Sequence, residues 1–438
     1  MRSRVPLSIV RSRWTILGLL VLATAINVMD RQLPFIMAEP IRREFGLSDT
    51  QLGLLGGAAF SVVYALGALP LARFADCHSR KWVLAGCLAT WSIFTALGAA
   101  AINFTQLSLT RAGVAIGEAG SGPASHSMIS DLFAGSRRGL AMAWVTCGMF
   151  IGIFLGMAVG GVMLDYLPWR NVLLLAAIPG IALAFIFAVF VNEPTRVGRD
   201  LQLQHATFGA AVLTLWNQPA YVRLTIAAAL TNFATSAGTT FGPSFLIRSH
   251  GLTISEAGIV FGLMLGLGGV AGGLASGALF DRLSTRDVRW MLWIPGVGQA
   301  IQAPLFCASW IIEDVRLAVG LQFMGYIVGG SYLALSYATA QVIAAPRVRA
   351  LASAIIQISI NIVGNVMGPL CAGSISDQLR PALGQGGALG VALAICGMSL
   401  VLSSFVFLRA AAHLPDAVGN LEQRHQYQIA GESEVIAP

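Results

Sequence analysis

Hydrophobic residues along this chain come in runs of about twenty or more, separated by short polar connections. They show neither the two-residue alternation of a half-buried strand nor the single apolar stripe of a soluble helix. Such runs can be drawn at roughly 14–37, 50–72, 83–102, 105–130, 140–164 and 171–191, and again at 221–247, 256–280, 290–312, 315–343, 350–375 and 386–409. Crossing a bilayer takes about 20 apolar residues in a helix. The pattern therefore predicts an all-α membrane protein with 12 transmembrane helices, numbered here as spans 1 to 12 in chain order.

Composition agrees with this pattern: hydrophobic residues make up 56%, charged residues 11%, and there are 49 glycines. Soluble domains carry roughly a quarter charged residues, so lipid must be the main solvent. The formal charge of +7 is spread in twos and threes between apolar runs rather than gathered into a patch, which excludes a nucleic-acid partner. The basic residues sort by side. Arg2, Arg4, Arg11, Arg13, Arg73, Arg80, Lys81, Arg137, Arg138, Arg196, Arg199, Arg223, Arg282, Arg286, Arg289, Arg347, Arg349, Arg409 and Arg424 fall on one side. Only Arg42, Arg43, Arg170, Arg248, Arg316 and Arg380 fall on the other. Loops rich in Lys and Arg stay in the cytoplasm, so both termini are expected there, with a bacterial inner membrane as the host. Arg2 to Arg13 followed by an apolar run and Ala23-Thr24-Ala25 imitates a signal peptide, but the run continues past that triplet. The first helix is read as uncleaved.

The chain also repeats. Ser48, Gly53 and Asp76 stand 205 residues before Thr253, Gly258 and Asp281, and the same offset carries Asn27 onto Asn232. At an offset of 212, Gly152, Gly156 and Gly161 fall on Gly364, Gly368 and Gly373. This predicts two six-helix halves, 1–192 and 220–412, joined by a cytoplasmic linker at 193–219 and followed by a disordered cytoplasmic tail at 413–438. Part of the linker, 201–216, is apolar enough to lie as a helix on the membrane surface. Glycines at four-residue spacing let helix backbones approach closely, and the two glycine series are read as packing between the halves.

Four charges cannot be placed in loops: Asp30 and Arg31 in span 1, Arg111 and Glu118 in span 4. Each costs about 2.5–3.5 kcal/mol at a helix centre on insertion scales, so they must pair or face water. Arg111 and Glu118 share one helix face about 10.5 Å apart along the axis. Span 1 rises from Trp14 and brings Asp30 about 24 Å up, near the depth that Arg111 reaches from the other end. Asp30 and Arg111 are thus expected to meet, with Asp30 and Glu118 as proton-coupling acids and Arg31 open to an anionic substrate group. A purely structural ion pair is the alternative. His126, two turns below Glu118, is read as packing. In the second half Asn232, Tyr326, Tyr332, Gln357 and Asn361 offer a neutral hydrogen-bonding wall, so these five join Arg31 and Arg111 as candidate substrate-binding residues.

The connection after span 2 reads Arg73, Asp76, Arg80, Lys81, and its repeat after span 8 reads Gly277, Asp281, Arg282, Arg286. An aspartate at a helix end can cap a neighbouring N-terminus. Arginines beside it can pair across the halves, so Arg73, Asp76, Arg80, Asp281, Arg282 and Arg286 are candidate gating residues.

No metal cluster is apparent: the six cysteines stand one at a time, read as packing residues, and neither metal nor cofactor is expected. Lys81 is the only lysine and closes no glycine-rich nucleotide loop, which argues against an enzyme and against ATP-driven transport.

Asn27-xx-Asp30-Arg31, the Asp76 to Trp82 loop, Thr110-Arg111 through Gly117-Glu118-Ala119, Ser130-Asp131-Leu-Phe133 and Asn192-Glu193-Pro194 resemble the Spinster-like branch of the major facilitator superfamily. That fold consists of two six-helix repeats with the substrate site between them. The resemblance implies a monomeric, proton-linked or facilitated carrier of lysophospholipids or sphingosine phosphate, with Asp30, Arg31, Arg111 and Glu118 in its polar pocket. A proton symporter of small organic anions such as sugar acids is the alternative within the same class, and a non-transporting membrane receptor is the remote one. The orientation is open to a direct check: impermeant labelling from the cytoplasmic side should reach cysteines placed near both termini and in 193–219, and a C-terminus accessible only from outside would overturn the twelve-span topology.

Overall fold

A computed structural model of the chain describes residues 12–133, 136–193, 208–330, 332–345 and 348–419. Helix follows helix through the described residues. Span 1 is Arg13–Ile36, followed by a short helix Ala38–Phe45. Span 2 passes through Asp49–Gly53, a π turn at Leu54–Ala58 and Ala59–Cys77; span 3 is Arg80–Gly98. Span 4 divides at Gly120 into Phe104–Ala119 and Ser121–Leu132. Span 5 contains Ser136–Phe154, a π turn at Leu155–Val159 and Gly160–Tyr166, and span 6 is Trp169–Phe190. Spans 7, 8 and 9 are Pro219–His250, Ile254–Leu283 and Trp290–Ser309. Span 10 runs through Val315–Gly329 and Tyr332–Ile343, and span 11 through Arg349–Ser359 and a π turn at Ile360–Met367. The helix Gly368–Ala412 then completes span 11 and forms span 12, turning at Gly384 with φ of 70°, a value that glycine adopts without a Cβ penalty.

Among the described residues eight helices are long and apolar enough to cross a membrane, and one of them, Leu351–Ala412, holds both of the last two spans. Large apolar side chains point outward along the bundle, Leu66, Leu109, Phe185 and Leu274 among them. A soluble protein would bury so extensive an apolar exterior; lipid solvates it here. The apolar part of the linker appears as the helix Phe208–Trp216, while 194–207 and the distal part of the expected tail, 420–438, lie outside the described residues.

The chain packs as two compact units: Met1–Leu201 with Ala237–Leu267 and Pro369–Ala392, and Gln202–Ser236 with Gly268–Gly368 and Leu393–Pro438. The division cuts across the sequence repeat. Parts of spans 7, 8, 11 and 12 group with the first six spans, because at the end of the bundle opposite Arg13 their backbones are drawn close by glycine. A Cβ on Gly53 would stand 2.5 Å from the carbonyl oxygen of Pro369, and one on Gly258 would stand 2.3 Å from that of Met157.

The glycine series therefore has a different role from the expected one. Gly152 and Gly156 lie against Ala25 and Met29 of span 1, and Gly364 and Gly368 lie against Asn232 and Phe233 of span 7. Only the last member of each series crosses to the other half: Gly161 meets Ile254 and Gly258, and Gly373 meets Asp49. The four-residue spacing signalled close approach; it carried no information on which neighbour is approached.

A Cβ at Gly152 would lie 2.4 Å from the Ala25 carbonyl oxygen, whereas one at Gly86 meets nothing within 4 Å. Gly152→Ala should therefore destabilise the bundle by about 1–3 kcal/mol. Gly86→Ala should be neutral or stabilise by at most about 1 kcal/mol. Thermal unfolding of the two purified variants in one detergent checks the difference; equal melting temperatures would contradict the packing.

Candidate functional site

In the first compact unit, spans 1, 2, 3 and 4 bring the four intramembrane charges together. Gly117 allows the approach, since a Cβ there would lie 2.5 Å from the backbone nitrogen of Trp91 in span 3. Arg111 lies 3.6 Å from Asp30 Oδ2, and the hydroxyl of Thr95 donates to Asp30 Oδ1 at 2.8 Å. Arg31, expected to face an anionic group, is also engaged by Glu118. Its Nε donates to Glu118 Oε2 at 2.8 Å and its terminal nitrogen lies 2.7 Å from the same oxygen. Asn27 Oδ1 accepts from Arg31 at 3.4 Å. The result is two crossed ion pairs.

Burial differs within this cluster. The side chains of Asp30 and Glu118 are 3% and 0% exposed and that of Arg111 is 9%, but Arg31 keeps 33%. Arg31 is thus the charge that a solute can reach. Its guanidinium lies 4.9 Å from the ring of Phe60 and 4.8 Å from that of Tyr64, and Arg111 lies 5.4 Å from Phe60. One aromatic face therefore serves both cations. Asp30 Oδ2, Glu118 Oε1 and Arg111 Nε are buried without a hydrogen-bond partner, so the cluster is neutral in charge and only half satisfied in hydrogen bonds.

Beside it a cavity of about 100 Å³ is lined by residues including Thr24, Asn27, Tyr64, Ser121, Ser125 and His126. His126 is exposed to this cavity and is not the packing residue that the sequence suggested.

The second compact unit holds a neutral polar chain. Tyr332 donates to Asn232 Oδ1 at 2.8 Å, and Asn232 Nδ2 donates to Asn365 Oδ1 at 2.8 Å and to the carbonyl of Ile360 at 3.2 Å. Asn365 donates to Asn361 Oδ1 at 3.0 Å, Gln357 donates to the same oxygen at 3.3 Å, and Tyr337 donates to Gln357. The π turn at Ile360–Met367 carries Asn361 and Asn365; such turns commonly mark functional positions in helices. Tyr326 is buried in span 10 against Gly268.

The candidate gating residues separate. Arg80 is buried and held by Asp131 and Ser127 of the first half and by Glu193 at the start of the linker. Arg73, Asp281, Arg282 and Arg286 are exposed, and the Asp76 side chain lies outside the described residues.

Sequence reasoning missed the charge cluster at the end opposite the termini. Arg248 pairs with Glu39 at 2.5 Å and with Asp49 at 2.9 Å; Arg380 pairs with Asp49 at 3.2 Å and with Asp377 at 2.8 Å. Arg42 approaches Asp49 at 3.5 Å and Glu39 at 3.9 Å. The signal that could have found it is Asp377, which stands 212 residues after Asp165, in the glycine register.

Glu193, outside the spans, ties the end of span 6 to the start of span 3. Burial opposes its ionisation, but the Ser79 hydroxyl and the backbone N–H and guanidinium of Arg80 outweigh burial and hold the carboxyl below its ordinary range. A depressed carboxyl contributes stability above the unfolded-state pKa, and the contribution is lost as pH falls through the folded-state value. Glu193→Gln should therefore lower the melting temperature at pH 7, with the gap to wild type narrowing below about pH 4. A gap that stays constant down to acid pH would remove the carboxylate from this role.

Comparison with known proteins agrees with this architecture. The sequence pattern of the Major Facilitator Superfamily matches residues 20–369. An MFS-type efflux pump of Mycolicibacterium smegmatis is 36% identical over 413 residues, covering 93% of this chain and 95% of that protein. Protein spinster homolog 1 of Xenopus laevis is 26% identical, covering 88% and 78%. The sphingosine-1-phosphate transporter SPNS2 of Danio rerio is 25% identical, covering 91% and 84%. Among solved structures, a bacterial homologue of the human lysosomal transporter Spinster, inward-facing and unoccupied, superposes with a TM-score of 0.80 at 27% identity, covering 94% of this chain and 98% of that one. With the family pattern spanning most of its length, the twelve-span chain belongs to the Major Facilitator Superfamily, is similar within it to the spinster proteins, and is an integral multi-pass membrane transporter and not an enzyme.

Proposed function

We propose that this transporter is a proton-coupled secondary carrier, working by alternating access, of an amphipathic anion such as a lysophospholipid or a sphingosine-phosphate-like lipid. It resides in a bacterial inner membrane as a monomer with both termini in the cytoplasm. The observation that carries the reading is the pair of crossed ion pairs, Asp30 with Arg111 and Glu118 with Arg31, in which Arg31 alone retains substantial exposure. Spinster proteins, a sphingosine-1-phosphate transporter among them, are relatives along most of the chain.

The proposed roles follow from charge. Asp30 takes the coupling proton and Glu118 is the second acid. Protonation of either carboxyl removes one of two negative charges and leaves the cluster at +1, which favours an anion beside Arg31 and Arg111. Asn232, Tyr332, Gln357, Asn361 and Tyr326 supply hydrogen bonds and aromatic surface to the rest of the substrate. Arg73, Asp76, Arg80, Asp281, Arg282 and Arg286 act at the cytoplasmic gate.

One observation favours a second reading, a proton symporter of sugar acids: a probable galactarate/D-glucarate transporter of Bacillus subtilis is 27% identical over 298 residues. A carboxylate would suit Arg31 as well as a phosphate. Competition between dodecyl phosphate and galactarate for uptake separates the two.

Coupling is tested in proteoliposomes with an imposed pH gradient. Asp30→Asn should lose gradient-driven accumulation at least about tenfold while retaining exchange, because Arg31 and Glu118 stay paired. Arg111→Gln should do more damage, since it strands the buried Asp30 carboxylate and removes a cation proposed to favour the anion, whereas Asp30→Asn resembles the protonated acid. If Asp30→Asn concentrates substrate at the wild-type rate, the proton is carried elsewhere and Glu118→Gln becomes the decisive variant.

A further inference from the structure

In the second compact unit the hydrogen-bonded chain of spans 7, 10 and 11 has a direction, and one backbone carbonyl sets it. The π turn Ile360–Met367 widens span 11. Gly364 within it leaves room for a side chain, since a Cβ there would stand 2.7 Å from Cγ of Asn232. Asn232 uses that room to reach the carbonyl of Ile360 at 3.2 Å. A carbonyl only accepts, so the atom that Asn232 turns towards it must be Nδ2.

Each further amide follows from this one. Asn232 Nδ2 directs its other N–H at Asn365, 2.8 Å away, which must answer with Oδ1. That leaves the nitrogen of Asn365 facing Asn361 at 3.0 Å, so Asn361 accepts through Oδ1. Gln357, 3.3 Å from the same oxygen, has to donate, and its own Oε1 then faces the hydroxyl of Tyr337. At the other end Asn232 Oδ1 takes the Tyr332 hydroxyl at 2.8 Å. Reversing one amide would set donor against donor or acceptor against acceptor, so no member can turn alone.

The consequence is a surplus of donors. Every side-chain carbonyl in the chain accepts at least one bond, and that of Asn361 accepts two. Among the described residues the two N–H groups of Asn361, and one each of Asn365 and Gln357, have no partner. Asn361 as a whole is only 6% exposed, yet its nitrogen is not sealed from solvent. An almost buried amide whose acceptor is filled and whose donor is open is matched to an acceptor outside the chain of bonds.

We propose that Asn361 is the specificity-determining residue of this wall and reads an acceptor oxygen of the substrate, so that the neutral part of the substrate carries a carbonyl there and not an ammonium. The inference rests on the amphipathic-anion reading and adds to it the hydrogen-bond sense of the second half. An ester carbonyl has two lone pairs for the open N–H groups. An ammonium offers N–H groups only, and against the Asn361 amide it would leave donors opposed and dehydrated.

Binding to the purified full-length protein in one detergent tests this without a pH gradient. Three probes share a glycerol phosphate head and an eight-carbon chain, joined through an ester, an ether or a protonated secondary amine. Wild type should bind them in that order, the ester at least about tenfold tighter than the amine. Asn361→Asp keeps the acceptor that Asn365 and Gln357 use and replaces the open nitrogen by oxygen, so the preference should reverse towards the amine. Gly364→Ala adds no charge; it pushes Asn232 off the Ile360 carbonyl and frees the amides to turn, so the preference should be lost. Either variant decides the matter if the other does not fold. A preference that survives Asn361→Asp removes Asn361 as the reader, and one that survives Gly364→Ala removes the carbonyl anchor; each result overturns the proposal. If wild type binds the probes in any other order, this inference alone falls. If it binds none of them, the amphipathic-anion reading fails and the inference with it.

Discussion

An ion in hydrocarbon needs a counter-ion, and the internal arrangement of this transporter follows from that constraint. Where the chain carries charge at membrane depth, it carries both signs in equal number: Asp30 and Glu118 against Arg31 and Arg111 in the core cluster. The pairing sets geometry as well as energy. Close backbone approach supports the cluster: Gly113 and Gly117 let span 4 approach Phe94 and Trp91 of span 3, and Gly152 and Gly156 let span 5 approach span 1.

The cluster at the opposite end obeys the same rule in a different setting. Glu39, Asp49 and Asp377 balance Arg42, Arg248 and Arg380, but here the groups sit at helix termini, where water is within reach once the helices part. Asp377 satisfies backbone donors of span 2 that its own capping box leaves over. Charge pairing and helix capping are thus one interaction at this point.

How much of this was legible in the sequence depends on the length scale. The spans were legible because hydropathy acts over twenty residues, and Asp30 beside Arg111 was legible because rise per residue gives depth. Arg31 on Glu118 was not: the two differ in axial depth, and the reach of an arginine side chain, which bridges that difference, leaves no periodic trace. Thr95 gave no signal, since a lone threonine in an apolar helix bonds its own backbone as readily as a neighbour. Arg248, Arg380 and Arg42 were visible only as sparse basic residues on one side, because topology reasoning counts loop charges without assigning partners. Asp165 and Asp377 illustrate the limit of the repeat: the same residue in the same register is exposed in one copy and caps a facing helix in the other, although both facing helices carry the same capping box.

Neutrality also bears on how transport and proton uptake could be linked on the proposed reading. The core cluster is neutral when empty, carries +1 with a proton alone, and carries −1 with a monoanion alone. With both bound it is neutral again. The two singly occupied states place a net charge in a poorly hydrated site, so each partner lowers the cost of binding the other, and the coupling is reciprocal. A structural ion pair needs no such balance between two pairs, and Arg31, engaged with Glu118 yet one-third exposed, is where the second partner can enter without first breaking the pair between Asp30 and Arg111.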